Sequence, residues 1–539
     1  MTRQPCVLAI DLGTSGPKVA VVGIDGRVLG WARTPVDTLR LAGGGAEQDV
    51  RAVWDAVLSA CTQALASPSV SRDDVRAVIC ASQYSSIVPV DSRGEPVANM
   101  IIWQDMRGTK SRLRQLPGFP RRPDTPLDLM RWLRIHGLPP VADGLSLNHM
   151  RFVKYGRPDI YARTAVFLEP MDYITLRLTG RACANQCTAL MFLVTDNRRL
   201  GTTDYDRRLV GASLIDRDRL PELVPLDSVV GMLLPDVADR LGLSPTTEVV
   251  TGVNDTQAGA IGAGGFTGEH AVISIGSTCV LTTHMASKHT DVRHAILSVP
   301  SPVPDTYFVM AENGLAGGAL EHFLRNVVYR SDGFGDPPPT DPFERLDAVA
   351  GDVPPGSGGL LFLPWISGAM APAEDGRMRG GFLNLSRTTT RADMTRAVLE
   401  GIALNLRWLR RPVERMVKRS FTHFLCYGGG AQSDLWCQIM ADVLARPVHQ
   451  LEDPHLTVCA GAAVLAGRAL GLADLEQAAA RLRVRRVYEP DPRATEVYDR
   501  LATQFVKSYS ATRRIVHAIN RDRTAPSPTP ADPDPPHMC

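Results

Sequence analysis

The chain has 539 residues, a hydrophobic fraction of 44%, 22% charged residues and a formal net charge of +2. That length exceeds what one hydrophobic core normally serves, which predicts two domains with a cleft between them, and the near-neutral balance provides no general field for polyanions, so nucleic acid is not an expected partner. The first residues lack the basic start, apolar core and cleavage site of a secretory signal, no apolar run reaches the length of a membrane span, and the 10 cysteines show neither CxxC nor zinc-ligand spacing; a reducing cytoplasm without membrane association is the expected setting.

In chain order, residues 6–10, 18–24 and 27–33 are strand-like, and Asp25-Gly26 joins the last two as a hairpin signal, which together predict an antiparallel meander. Between the first two strands lies Asp11-Leu-Gly-Thr-Ser-Gly16, a tight turn of small residues whose backbone amides can approach an anion. Residues 117–126 and 336–342 are Pro-rich and read as surface loops. A strand at 248–250 leads through Thr251-Gly-Val-Asn-Asp-Thr256 into the Ala- and Gly-rich stretch 258–265, and 262–268 has the glycine content of a hinge. Residues 270–275 and 279–283 then repeat the opening hairpin around Gly276-Ser277-Thr278, and an internal repeat of this kind predicts two related domains that each offer a phosphate-facing turn. Helical stripes follow, with Met394, Ala397, Val398, Gly401 and Leu404 on one and Leu435, Ile439, Met440, Val443 and Leu444 on the next. From Thr524 the composition turns to Pro, Ser, Thr and Asp, so 524–539 is expected to be a disordered tail.

Phosphoryl transfer needs charge neutralised around the moving group, and Asp11 beside a turn of free amides can hold a hydrated magnesium ion next to phosphates; the same turn is also a common hairpin. Asp255, at the end of a strand and the start of a close-packed helix, can accept a proton from a substrate hydroxyl, or be a helix N-cap. Glycines in Tyr427-Gly-Gly-Gly-Ala-Gln-Ser433 let an adenine or a phosphate approach the backbone while Ser433 caps the helix that follows, or they form a flexible strand-to-helix loop.

Further ordered motifs accompany these three: Glu47-Gln48-Asp49, Trp103-Gln-Asp-Met-Arg107, Asp172-Tyr173 with Leu178-Thr-Gly180, Gly252 to Asp255, Ser274-Ile-Gly-Ser-Thr278, Leu361-Phe-Leu-Pro-Trp365, Arg379-Gly-Gly-Phe382, Glu400-Gly401, and Trp436, Gln438 and Ala441-Asp442 after Ser433. In this order, from Val7 to about Leu470, the chain resembles the FGGY family of carbohydrate kinases, and xylulokinase-like members in particular. The resemblance implies an α/β fold of two ribonuclease H-like, actin-like ATPase domains around a central cleft, with 1–262 on the sugar side and 263–490 on the nucleotide side. It implies ATP-dependent phosphorylation of a small ketose, a pentulose such as xylulose, with Asp255 as catalytic base. Gln83, Tyr84, Ser85, Trp103, Asp105, Arg107 and Thr256 are then expected around the acceptor with Asp255. Gly13, Thr14, Ser15, Lys18, Gly276, Ser277, Thr278, Gly428, Gly429, Gly430 and Ser433 are expected around ATP, and Asp11 at the magnesium ion. For Trp103 the alternative is core packing, and for Asp105 and Arg107 a structural ion pair.

Departures fall on the substrate side. Gln83-Tyr-Ser85 stands where xylulokinases carry Gln-Met-His, Gly368-Ala-Met-Ala-Pro372 replaces Gly-Glu-Arg-Thr-Pro, Thr256 replaces an asparagine, and Pro17 interrupts the opening motif. Two alternatives stay open: a kinase of a polyol such as glycerol or erythritol, and a nucleotide-dependent regulatory protein on the same frame. The expected partners are ATP and a small sugar or polyol, with homodimerisation open.

Overall fold

The computed structural model describes residues 4–121, 123–329 and 343–521. The expected loop at 336–342 and the tail at 524–539 lie outside the described residues.

The chain opens with β1 (Cys6–Gly13), β2 (Gly16–Gly23) and β3 (Val28–Arg33), paired antiparallel as a meander. Residues 6–12 of β1 are buried on both faces, as suits a strand in the middle of a covered sheet. Asp11, Leu12 and Gly13 continue β1, so the expected six-residue turn shrinks to Thr14 and Ser15. Helix α1 (Val50–Leu65) starts at Asp49, whose carboxylate caps the amides of Arg51 and Ala52. Strand β4 (Val75–Ser82) runs parallel to β1, and β5 (Val229–Met232) and β6 (Glu248–Val250) complete the order β5-β6-β4-β1-β2-β3, with Val253–Asn254 extending the parallel pairing beside β4. Helix α2 (Asp255–Gly262) follows.

The second half repeats the plan. Strands β7 (Ala271–Ile275), β8 (Thr278–Met285), β9 (Ile296–Pro300) and β10 (Tyr307–Leu315) form an antiparallel set, and after helix α3 (Arg391–Val417) strand β11 (Phe424–Tyr427) pairs parallel with β7. Helix α4 (Asp434–Leu444), strand β12 (Val448–Leu451), helix α5 (Thr457–Ala469), strand β13 (Val484–Tyr488) and helix α6 (Pro492–Ile519) complete it. The order β3-β2-β1-β4-β6 of the first sheet is matched by β10-β8-β7-β11-β12 in the second, the duplication anticipated from the two hairpins. Helix α3 runs on to Val417, well past the stripe ending at Leu404, because Leu409, Val413, Met416 and Val417 keep its buried face going through Pro412.

Each half buries its own core, and a third apolar cluster joins them, with Ile87, Trp132, Phe167 and Phe192 meeting Ala260 and Phe308. Helices α2 and α5, which occupy equivalent places in the two halves, cross at a backbone-to-backbone contact. A Cβ on Gly461 would sit 1.8 Å from the Ala258 carbonyl oxygen, and one on Gly262 would sit 2.1 Å from that of Thr457. Only glycine permits that approach, so the crossing point of these two helices is made by main chain.

Candidate active site

Strand β6 and the short pair beyond it aim the start of α2 at the end of the β1–β2 hairpin. Asn254, not Asp255, is the helix cap: its side-chain oxygen accepts from the amides of Thr256 and Gln257. Asp255 is therefore the first helical residue and is left free of the capping role that the sequence allowed it. Its Oδ1 accepts from the Thr256 amide at 2.6 Å, the Thr256 hydroxyl at 3.1 Å and the Asn254 amide group at 3.1 Å. All three bonds fall on one oxygen, so Oδ2 keeps its lone pairs. Burial, then the charge of Asp11, raise the Asp255 pKa to about 7, against the donors of Thr256 and the charge of Lys18. A carboxyl group poised near neutrality can act as a general base at physiological pH.

Asp11 pairs across the hairpin with Lys18, its Oδ2 lying 2.7 Å from the ammonium nitrogen, as the β1–β2 register places them opposite one another. Burial opposes the Lys18 charge, but Asp11 more than offsets it, and the lysine pKa stands above its ordinary value. The same ammonium donates to the carbonyl of His455 at 3.0 Å, so Lys18 also ties the first half to the segment preceding α5. Tyr427 reaches this group from the second half. Its phenol fits over Gly259, where a Cβ would lie 2.1 Å from the hydroxyl oxygen, and it feels the charges of both Asp255 and Asp11. Sequence reasoning missed Tyr427; its position directly before the triple glycine was the available signal.

The acceptor-side residues divide into two sets. Trp103 is 39% exposed, which sets aside core packing, and its indole donates to the Thr14 hydroxyl at 3.0 Å. Thr14 in turn donates to Oε1 of Gln83, a nearly buried residue whose Nε2 has no partner among the described residues. The hydroxyl of Thr14, expected at the phosphates, is thus committed to the acceptor side. Ser85 holds a left-handed backbone conformation with φ of 60° at the turn after β4, and Tyr84 directs its hydroxyl to the Met310 sulfur at 3.0 Å across the cleft. Asp105 and Arg107, also expected around the acceptor, form the other set. Asp105 is fully buried, and its oxygens are taken by the amides of Ala46 and Arg107 and by the Arg107 guanidinium. Arg107 also pairs with Glu47 at 2.6 Å, and Arg157 joins the same carboxylate at 3.0 Å. They form the brace under the Trp103 loop, the structural ion pair that the spacing also allowed.

On the nucleotide side, Gly276 and Ser277 form the exposed turn of the β7–β8 hairpin and Thr278 begins β8. Their carbonyl groups accept from the amides of Ala316, Gly317 and Gly318. A Cβ on Gly317 would lie 2.6 Å from the Gly276 oxygen, so this second glycine pair is part of the turn's support; the run Gly314-Leu-Ala-Gly-Gly318 was its unread signal. In the triple glycine, Gly428 and Gly430 are packed against Ile275, where added Cβ atoms would meet the carbonyl oxygen at 2.5 Å and the side chain at 2.4 Å. Only Gly429 has open space beside it. The close approach read as room for a ligand is therefore, at two of three positions, an approach to the protein's own strand. Ser433 caps α4 through the Trp436 amide, but its hydroxyl also donates to the Asp347 carboxylate, which leaves it no free donor.

Asp11 supplies hard oxygen donors beside the hairpin turn, while no group of three or more metal-ligating side chains occurs among the described residues. That donor set suits a magnesium ion that keeps most of its waters and is shared with phosphates. A cavity of about 420 Å³ behind the hinge, lined by Val22, Arg27, Gly262, Ala463 and Arg481, holds none of the expected site residues. Among the described residues no helix is long and apolar enough to cross a membrane, and the nine described cysteines are free and buried.

Comparison with known proteins adds the chain's relationships. The model of the FGGY carbohydrate kinase N-terminal domain matches residues 6–262, and that of the C-terminal domain matches 271–470. A xylulose kinase of Bacillus subtilis strain 168 is 27% identical over 521 residues, covering 96% of this chain and 99% of that protein. One from Staphylococcus epidermidis RP62A is 28% identical over 522 residues, covering 94% and 97%. The crystal structure of xylulose kinase from Rhodospirillum rubrum superimposes with a TM-score of 0.79 at 26% identity, covering 95% of this chain and all of that one.

Proposed function

Because the chain belongs to the FGGY family of carbohydrate kinases, we propose that it transfers the γ-phosphoryl group of ATP to a hydroxyl of a small ketose, a pentulose such as xylulose, in the cytoplasm. The observation that carries this is Asp255, a carboxyl group held near neutrality with one oxygen unengaged, at the place where the two halves meet. Residues 1–262 supply the acceptor side and 263–490 the nucleotide side.

Asp255 takes the proton of the acceptor hydroxyl on Oδ2 as the acceptor oxygen attacks the γ-phosphorus in line; the new O–P bond forms as the bond to the β-phosphate oxygen breaks, and ADP leaves. Lys18, held by Asp11, and the turns at Gly13 to Ser15 and Gly276 to Thr278 lie at the phosphates, while Gly429 gives the nucleotide access to the backbone of the second half. Asp11 would hold a magnesium ion, which would supply neutralisation of the charge on the phosphate oxygens. Gln83, Tyr84, Ser85, Trp103 and Thr256 surround the acceptor. Closure of the halves about the glycine contact of α2 and α5 excludes water and suppresses idle ATP hydrolysis.

The test is magnesium- and ATP-dependent ADP release, measured without acceptor and against a panel of ketoses and polyols. Strong stimulation by a pentulose is the expected result. Stimulation by glycerol or erythritol alone would make it a polyol kinase, and nucleotide binding with no stimulation by any acceptor would overturn the kinase reading.

A further inference from the structure

Strand β10 presents its two faces to different halves of the molecule. Val309 and Ala311 are buried in the core of the second half, and Asn313 is bonded to Ile402 and Asn405 of α3. The alternate residues point the other way, toward the first half: Phe308 packs with Ile87 and Trp132, and Met310 accepts the Tyr84 hydroxyl. Glu312 follows on this same face, across the cleft from Tyr84. Beyond it Gly314 lies 3.8 Å, measured from an added Cβ, from the Met370 side chain of the neutral loop Gly368-Ala-Met-Ala-Pro372.

Glu312 is an unusual group to find there. Burial and the neighbouring Glu374 carboxylate raise its pKa to about 7, and no hydrogen-bond donor acts against them. Its charge and that of Asp255 both act on the Tyr84 phenol. Glu312 is partly exposed in the cleft, and its carboxyl group accepts no hydrogen bond from the described residues, so a bound acceptor can replace water as its donor.

We propose that Glu312 sets the charge class of the acceptor: its carboxyl group receives hydrogen bonds from hydroxyls at the end of a neutral polyhydroxy substrate remote from the reacting oxygen, and it turns away acceptors that carry a carboxylate. The inference rests on the kinase reading above. An anionic acceptor placed there would meet the like charges of Glu312 and Glu374, whereas a chain of hydroxyls offers hydrogen-bond donors to Glu312.

The experiment compares D-xylulose with D-gluconate in the wild type and in Glu312→Gln, using acceptor-stimulated ADP release, with stabilisation of each protein by ATP against thermal unfolding as the check on folding. The wild type is expected to use xylulose and leave gluconate unturned. In Glu312→Gln the KM for xylulose should rise about tenfold with kcat changed less than about threefold, as an interaction with a charged group becomes one with a neutral group, and gluconate should become a measurable acceptor. An ATP-stabilised Glu312→Gln protein with unchanged xylulose KM and unchanged exclusion of gluconate overturns the role of Glu312 alone, as does a wild type that prefers gluconate. A wild type stimulated by no acceptor overturns the kinase reading with it.

Discussion

The β1–β2 hairpin ends in Asp11 facing Lys18, whereas the β7–β8 hairpin, built on the same topology in the other half, ends in Ser274, Ile275 and Thr278 and carries no ionisable group at its turn. The first turn is bound to acceptor-side residues through Thr14; the second is underpinned by the amides of Ala316 to Gly318. A duplicated frame has thus been divided between two tasks. One copy keeps the charges that tune Asp255, and the other has main chain alone at its turn.

Substitutions that remove the charged copy's function should have the largest effects. Asp255→Asn is expected to lower kcat by about 10³-fold or more while nucleotide binding, measured by calorimetry, stays within about twofold. It should also stabilise the protein at pH 8. The folded-state pKa of Asp255 is about 7 against 3.8 for the free group, so between those values the folded protein retains a proton that the unfolded chain releases, and stability falls as pH rises through that window. The neutral asparagine removes this cost, and a thermal midpoint raised by about 2 °C at pH 8 and unchanged at pH 3 would show it.

Asp11→Asn tests whether the hairpin's charge reaches the base. In the wild type, kcat/KM should climb through about pH 7 as Asp255 loses its proton. Without Asp11 the carboxylate is less repelled and Lys18 is unpaired, so that limb should move to lower pH, and kcat should fall about 100-fold. A pH profile unmoved by the substitution would separate the hairpin from the base.

Gly461→Ala disturbs the contact that the two copies share. Its methyl group would lie 1.8 Å from the Ala258 carbonyl oxygen, so the helices must part, and a loss of about 1–3 kcal/mol in urea unfolding is expected. The smallest effects belong to the uncharged copy. Gly430→Ala, pressed against Ile275, should raise the KM for ATP several-fold and lower stability, whereas Gly429→Ala, with open space beside it, should leave stability unchanged and raise the KM for ATP by a similar factor.

Strand patterns and the repeated hairpin were legible in the chain because period-two alternation and small-residue turns are local properties. The order of motifs was equally legible and led to the family. Less legible were the partners of charged residues. Asp105 and Arg107 stood in a motif associated with the sugar, yet Glu47 and Arg157, distant in sequence, complete an ion network around them. Glu312 gave no signal at all, since a single glutamate in a strand looks like any solvent-facing residue until the opposite wall is known. Tyr427 and Gly317 lay beside motifs that were read, but their function depends on what packs against them.

By itself the sequence determined the two-domain α/β frame, the repeated hairpin and the order of motifs through which the chain resembles its family, because these follow from hydrophobic periodicity, glycine placement and motif order along the chain. Tertiary structure alone decided that Asn254 caps α2 and so releases Asp255, that Asp11 raises its pKa while Lys18 opposes, and that the face of β10 bearing Glu312 looks across the cleft. Electrostatic coupling and desolvation depend on distances between segments remote in the chain, and no local pattern encodes those distances.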